Sequence, residues 1–269
     1  MNMLSTDYEI FIRLGCFFGI FVIMALWEVA APRRRRTIPR SARWLANIGI
    51  TGLNSLLVRF IPILSATAAS VTAADRGWGI FRIMGFSDLF AGILSVFILD
   101  LAIYTQHRVF HTVKPFWRLH KMHHTDLDLD VTSGARFHPI EIVLSMVIKI
   151  AIVLLLGAPA WSVILFEVLL NATSMFNHSN VYINPAIDRV LRLFVVTPDM
   201  HRVHHSVLIR ETNSNYGFNL PWWDRIFGSY RAQPEAGHDA MKIGLANYRK
   251  AEMLTLPRLL LVPFDGKER

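Results

Sequence analysis

Five apolar runs follow one another along the first two-thirds of the chain, separated by polar or Gly/Pro-rich stretches. The first, near 10–31, reads "IFIRLGCFFGIFVIMALWEVAA"; about 20 such residues rising 1.5 Å each cover the hydrocarbon of a bilayer. A cleaved leader carries its positive charge ahead of the apolar core. Here Asp7 and Glu9 precede the run and arginines follow it, which predicts a retained span with its N-terminus outside. The second run, near 44–71, is predicted to return outward with Arg59 as its one charged residue. The third, near 86–106, comes back inward. Two shorter runs, 140–156 and 160–177, flank "GAP" and predict a transmembrane or re-entrant hairpin. From 184 to 269 the chain is more polar and reads as a cytosolic helical cap. The expectation is one all-α integral membrane domain over 1–269, with about three spans, a helical hairpin and a cap.

Composition agrees. The chain is 53% hydrophobic and only 18% charged, below the roughly 25% of soluble domains. The net charge of +8 raises the question of nucleic acid, but the densest basic cluster, "PRRRRTIPRSAR", directly follows the first apolar run. That is the place of a cytoplasmic anchor, so no nucleic-acid partner is expected. The lone Cys16 makes neither a disulfide framework nor a thiolate cluster. Lys149 and Glu167 stand equally far from Ala158 in the "GAP" turn, so a hairpin brings them to one depth as a buried ion pair.

Histidine changes the picture most. "HRVFH" places His107 and His111 four apart; "HKMHH" (His120, His123, His124) recurs as "HRVHH" (His201, His204, His205). Residues three and four apart share a helix face, with Cβ atoms about 5–6 Å from one another. Each box therefore presents several imidazoles in one direction, and neutral imidazole is the commonest metal ligand. A lone histidine is more often a satisfied polar group, but eight at ligand spacing beside membrane spans are costly without a function. They also exceed the three or four ligands of one tetrahedral zinc. Two metals are expected, each HxxHH helix supplying its own set of ligands to a shared centre. The run order places all the boxes on the cytoplasmic side.

These boxes, the His in "FNHSN", and "PDMHRVHHS" followed by "ETNSNYG" and "WWDRIFGSY" resemble the sterol desaturase and fatty acid hydroxylase superfamily over roughly 100–230. The resemblance implies a membrane enzyme with two Fe ions that activates O2 against an unactivated lipid C–H bond. It also implies His107, His111, His120, His123, His124, His178, His201, His204 and His205 as ligands. Some members carry a further histidine four residues after the position of His178; here Tyr182 stands there.

Asp100, Tyr104, His107 and His111 form one helical stripe, so Asp100 is expected to accept from and orient a ligand imidazole, with Tyr104 beside it; a helix-interface hydrogen bond is the competing role. His138 in "RFHPIE" opens the fourth apolar run and reads as either a ligand or a capping group; the resemblance implies support of the site rather than ligation. Asn213, Asn215, Tyr216, Trp222 and Trp223, with Phe227 and Tyr230, are candidate substrate or lid contacts; ordinary turn and packing roles compete. HExxH and GxSxG are lacking, and the single Glu-x-x-His spacing, Glu235 to His238, lies between Pro and Gly.

The reading that follows is a di-iron oxygenase that hydroxylates or desaturates a lipid taken from the bilayer: sterol, fatty acyl chain, carotenoid or ether lipid. Without a flavin fingerprint or CxxCH in this sequence, the electrons are expected from a separate ferredoxin or cytochrome with its reductase. The 33–43 loop is expected to meet an acidic carrier or anionic lipid. The expected location is the inner membrane of a bacterium or the endoplasmic reticulum of a eukaryote. A membrane zinc hydrolase is the alternative enzyme; a metal store or transporter, with ligands strung along a path, is the non-enzymatic one.

Overall fold

The computed structural model describes residues 6–61 and 65–266. The helices are α1 (Thr6–Ala30), α2 (Arg40–Phe60), α3 (Ala66–Arg76), α4 (Ile80–Ile83), α5 (Asp88–Thr112), α6 (Lys114–His124), α7 (Pro139–Leu156) and α8 (Ala160–His178). The short helices α9 (Pro185–Leu191), α10 (Pro198–His204), α11 (Ile209–Thr212), α12 (Trp222–Ile226), α13 (Gly237–Ala240) and α14 (Leu256–Leu261) complete the chain. Among the described residues the only β pairing is two isolated bridges, Pro32 with Val181 and Ser206 with Ile243. The all-α membrane architecture predicted from the runs is what forms.

Among the described residues, four helices are long and apolar enough to cross a membrane: 8–30 within α1, α5, α7 and α8. Their ends follow local chemistry. Ser87 caps α5 by accepting from Phe90 N, and His138 caps α7 by accepting from Ile140 N at 3.2 Å, ahead of Pro139 in the first turn. Gly157 closes α7 in the left-handed region at φ 67°, and Gly79 takes φ 106°. A Cβ on Gly79 would lie 2.1 Å from Gly157 N, so the turn joining α7 to α8 packs against the α3–α4 connection by backbone alone.

The second run departs from expectation. It does not form one crossing: α2 stops at Phe60 and α3 starts at Ala66, while residues 62–64 lie outside the described residues. Ile61, which precedes Pro62, takes φ −113° and ψ 85°, as a residue before proline avoids the helical region. Ser65 then caps α3 through Ala68 N. Helix α2 is also inside out for a soluble helix. It buries Arg43, Asn47 and Asn54 against the protein and exposes Leu45, Leu53, Leu56 and Phe60. A helix with that distribution suits apolar surroundings on its outer face.

Leu99 and Ile103 of α5, Val153 and Leu156 of α7, and Val163 and Phe166 of α8 form the core between the spans. A second cluster joins Ala46 and Ile50 of α2 to Trp117, Met122, Tyr248, Leu259 and Val262, and so ties the cap to α6.

The hairpin pair forms: Lys149 Nζ lies 2.7 Å from Glu167 Oε1. Arg13 of α1 joins it, with Nη2 2.6 Å from Glu167 Oε2 and Nε 2.8 Å from Glu9. Glu167 thus holds two cations from two other helices. Glu167→Gln leaves them facing a neutral amide, and we expect a loss of about 3 kcal/mol, read as a lower melting temperature in detergent. An unchanged melt would dissociate the pair from stability.

Candidate metal centre

All nine histidines of the boxes are buried where α5, α6, α8 and α10 converge. They sort into two sets. His107, His111, His120, His124 and His204 form one; His123, His178, His201 and His205 form the other; within each, one ring nitrogen per residue lies within 4.8 Å of all the rest. Nε2–Nε2 distances are 3.1 Å for His107–His120 and His111–His124, and 3.0 Å for His178–His123 and His178–His201. Two nitrogens about 2.1 Å from one ion stand ~3 Å apart when at right angles and ~4 Å apart when opposite. Both sets fit an ion on that measure.

The partition refines the expectation that each HxxHH helix supplies its own set of ligands to a shared centre: each box divides between the two sets. His120 and His124 belong to the first set while His123 belongs to the second; His201 and His205 belong to the second while His204 crosses to the first. Helical rotation explains it. Positions four apart are offset by about 40°, whereas the position three on is turned about 100° from its neighbour. Each box therefore keeps its i, i+4 pair together and sends the i+3 ring to the other side. The two pentapeptides are two halves of one site, each reaching into both sets. Tyr182 lies beyond the end of α8, half exposed, its backbone N–H donating to Ala31 O, and belongs to neither set; the second set is one nitrogen smaller than the first.

The rings are held from behind. His107 Nδ1 donates to Tyr216 O at 2.7 Å, His123 Nδ1 to Arg136 O at 3.0 Å, His178 Nδ1 to Ser174 O at 2.7 Å and His204 Nδ1 to Ser214 O at 2.7 Å. This fixes the tautomer and leaves Nε2 as the free lone pair facing the centre. His204 Nε2 and both ring nitrogens of His205 are buried without a hydrogen-bond partner. Such orphans are costly unless something else takes their lone pairs. Burial, then the neighbouring imidazoles, pushes His123, His124, His201 and His205 well below the ordinary imidazole value; His204 is lowered by burial and His107. The rings are neutral and able to ligate.

The acceptor role expected of Asp100 is not seen in its hydrogen bonds. Its carboxylate takes Trp223 Nε1 at 2.8 Å and Leu220 N at 3.3 Å, tying α5 to the loop before α12. The acid that meets a ligand imidazole is Glu141, 2.6 Å from His120 Nδ1. Sequence reasoning missed it, although an acidic residue opening an apolar run was a signal. His138 lies outside both sets; it caps α7 and its Nε2 reaches Leu260 O at 3.3 Å, so it sets the turn that presents Glu141. Replacing Glu141 with Leu should weaken metal binding about 10–100-fold, measured by competition with a chelator. Unchanged affinity would remove Glu141 from the site.

Tyr104 pairs with Ser229 Oγ at 2.8 Å, stacks on Phe227 and meets Tyr216 edge-on. Asp224, also missed, accepts from Tyr216 N, Gly217 N and Ser229 Oγ, and so places the carbonyl that holds His107. Asn215, at φ 51°, clamps Met200 O and Arg231 by side-chain hydrogen bonds. Asn213 sits where its backbone N–H closes α11 on Ile209 O. Trp222 stacks on Phe97 of α5 and donates to Leu193 O. Of these residues, Tyr216 stands against His107, His111 and His204 of the first set. Tyr230 lies under Arg225.

A second missed device follows the "HKMHH" box. Arg43 is fully buried, bidentate to Asp126 at 2.7 Å and 2.7 Å, and 2.6 Å from Asp130. Arg136 adds a contact to Asp126 at 3.2 Å. Gly134 lies so close to α8 that a Cβ there would sit 2.4 Å from Ser174 O, the carbonyl that holds His178. The loop thereby docks Arg136 O behind His123.

Apolar helices of spanning length that converge on buried nitrogen donors define an integral-membrane histidine-box metalloprotein. The chain belongs to the fatty acid hydroxylase family, whose model matches residues 92–229. It is similar to ornithine lipid hydroxylase OlsE of Rhizobium tropici, 32% identical over 145 residues, 54% of this chain and 43% of that protein. Human alkylglycerol monooxygenase is 26% identical over 192 residues, 69% and 41% of the two chains. The Delta(7)-sterol 5(6)-desaturase ERG3 of Saccharomyces cerevisiae is 28% identical over 146 residues, 54% and 37%. The matched region spans less than half the length of these relatives. No solved structure matches.

Proposed function

We propose that the chain is an O2-dependent, non-haem di-iron enzyme that hydroxylates or desaturates a C–H bond of a membrane lipid. The observation that carries this reading is the pair of buried nitrogen sets, five and four strong, built jointly by two interleaved histidine boxes. His107, His111, His120, His124 and His204 would hold one iron; His123, His178, His201 and His205 the other. When bound, the irons supply oxygen activation and the oxidation of an unactivated carbon.

The chain's own residues set the stage. Backbone carbonyls of Arg136, Ser174, Ser214 and Tyr216 orient four of the rings, and Glu141 holds a fifth. Phe137 stacks on His123, and Phe218 stands against His107 and His201, so apolar rings keep water from the histidines. The lipid would enter laterally between the spans, with its reacting carbon at the cytoplasmic ends of α5 and α8. Electrons would come from a separate ferredoxin or cytochrome with its reductase. The 33–43 loop makes a poor general docking patch for such a carrier, because Arg33, Arg36, Arg40 and Arg43 pair with acids of this chain. The relatives are hydroxylases, monooxygenases and desaturases by name, which weighs against a zinc hydrolase; the clustered ligands weigh against a store or transporter.

The decisive measurement combines metal analysis of the purified chain with lipid profiling of cells that have or lack it, in air and without oxygen. Iron together with an oxygen-dependent mass change of one oxygen or two hydrogens supports the reading. Zinc with turnover in the absence of oxygen would replace it with the hydrolase.

A further inference from the structure

Immediately after α1 the chain carries Arg33, Arg34, Arg35 and Arg36, and the fold bends this stretch back against the two bridge segments and α10. Most of its charge is engaged. Arg33 reaches Asp199 at 3.2 Å and Asp239 at 2.5 Å; Arg34 Nη2 donates to Met241 O at 2.7 Å; Arg36 lies 3.5 Å from Glu28. The remainder is not. Arg34 Nη1, Arg36 Nε and Arg202 Nη2 are buried and have no hydrogen-bond partner, and Arg202 is 1% exposed. Among the described residues its only ion-pair partner is Asp199, through Nη1.

Arg34, Arg36 and Arg202 line one niche of about 10 Å³, together with Arg35, Asn180 and Asp128. The niche adjoins an open cleft of about 600 Å³ bordered by Arg33 to Arg36, Thr37 and Asp239. Its two other polar walls are already committed. Asn180 holds the backbone of Arg34 through both side-chain atoms, and Asp128 Oδ2 accepts from Thr37 N and Ile38 N at 2.8 Å each. Six guanidiniums, those of Arg33, Arg34, Arg35, Arg36, Arg40 and Arg202, face four carboxylates: Glu28, Asp128, Asp199 and Asp239. The site has an excess of positive charge, and three buried donors without acceptors belong to residues that line this space for about one oxygen atom. Buried guanidinium donors without acceptors are costly, and a tetrahedral oxyanion supplies acceptors of matching geometry.

We propose that this niche is a binding site for a phosphate group, distinct from the metal centre, and that the phosphate belongs to an anionic phospholipid headgroup. The source follows from position. Arg33 stands three residues past the end of α1, and Pro32 bridges Val181 three residues past the end of α8, so the cleft opens where two spans leave the apolar layer. Arg202 lies between His201 and His204, so the bound headgroup would brace α10 from behind.

The test uses the full chain in phosphatidylcholine nanodiscs, titrated either with phosphatidylglycerol in the disc or with inorganic phosphate in solution. The readout is the melting temperature, which does not depend on activity. Phosphatidylglycerol should raise it saturably, and Arg34→Gln and Arg35→Gln should each move the half-saturating fraction about tenfold higher. Arg35 is exposed, so its variant decides the matter if Arg34→Gln fails to fold. If inorganic phosphate alone gives the full, variant-sensitive rise, the phosphate site stands and its ligand is a soluble oxyanion. Curves that are identical in wild type and variants, or no response to either ligand, would overturn the proposal.

Discussion

His123→Ala should cut bound metal from about two ions per chain toward one and lower turnover by more than about 100-fold. The argument is geometric. His123 is the one ring of the first HxxHH box that turns to the smaller set, where only His178, His201 and His205 remain without it. That set has four nitrogens against five, so it has fewer in reserve than the other. Metal analysis by mass spectrometry, set beside turnover on the identified lipid, reads both effects. His238→Gln is the control. His238 is buried and belongs to neither set; its nearest charged partner is Asp199 at 3.6 Å. Equal loss of metal in the two variants would break the assignment of the sets.

Arg43→Met should lower the stability of the protein by about 3–5 kcal/mol and release metal as a consequence. Removing this guanidinium leaves Asp126 and Asp130 facing each other in a buried site, with Arg136 as the remaining cation on Asp126. Burial alone would raise Asp126, but Arg43 and Arg136 together hold it well below the ordinary carboxylate range. The sign for pH follows from that depression. The stabilisation is complete above the unfolded value of about 3.9 and is lost as pH falls through the lower folded value. Wild type should therefore lose this contribution only in strong acid, whereas Arg43→Met should lack most of it already at pH 7. Chemical denaturation at pH 7 and pH 3 checks the pattern. A variant as stable as wild type at pH 7 would show that the loop after the first HxxHH box does not depend on Arg43.

Much of this was legible in the sequence because it is local. The apolar runs near 10–31, 86–106, 140–156 and 160–177 became α1, α5, α7 and α8, since length and composition alone decide whether a segment suits a bilayer. The Lys149–Glu167 pair was legible for the same reason, as a tight hairpin fixes depth by counting. The run near 44–71 misled because hydropathy averages over side chains and weighs neither the proline that breaks the helix nor the polar face that α2 turns inward. Asp100 misled because a shared helical stripe gives direction and not the partner. Trp223 of α12, more than 120 residues away, took its carboxylate.

By itself the sequence determined that nine imidazoles would be available, on helices, with spacings of three and four, beside apolar spans. Those are properties of composition and of a 3.6-residue turn, and they need no knowledge of the rest of the chain. Only the tertiary structure decided which rings share an ion. That depends on how α5, α6, α8 and α10 are rotated about their axes relative to one another. Contacts that join distant segments fix the rotation: Arg43 with Asp126, Glu141 with His120, Gly134 with Ser174, and Asp224 with the backbone of Tyr216.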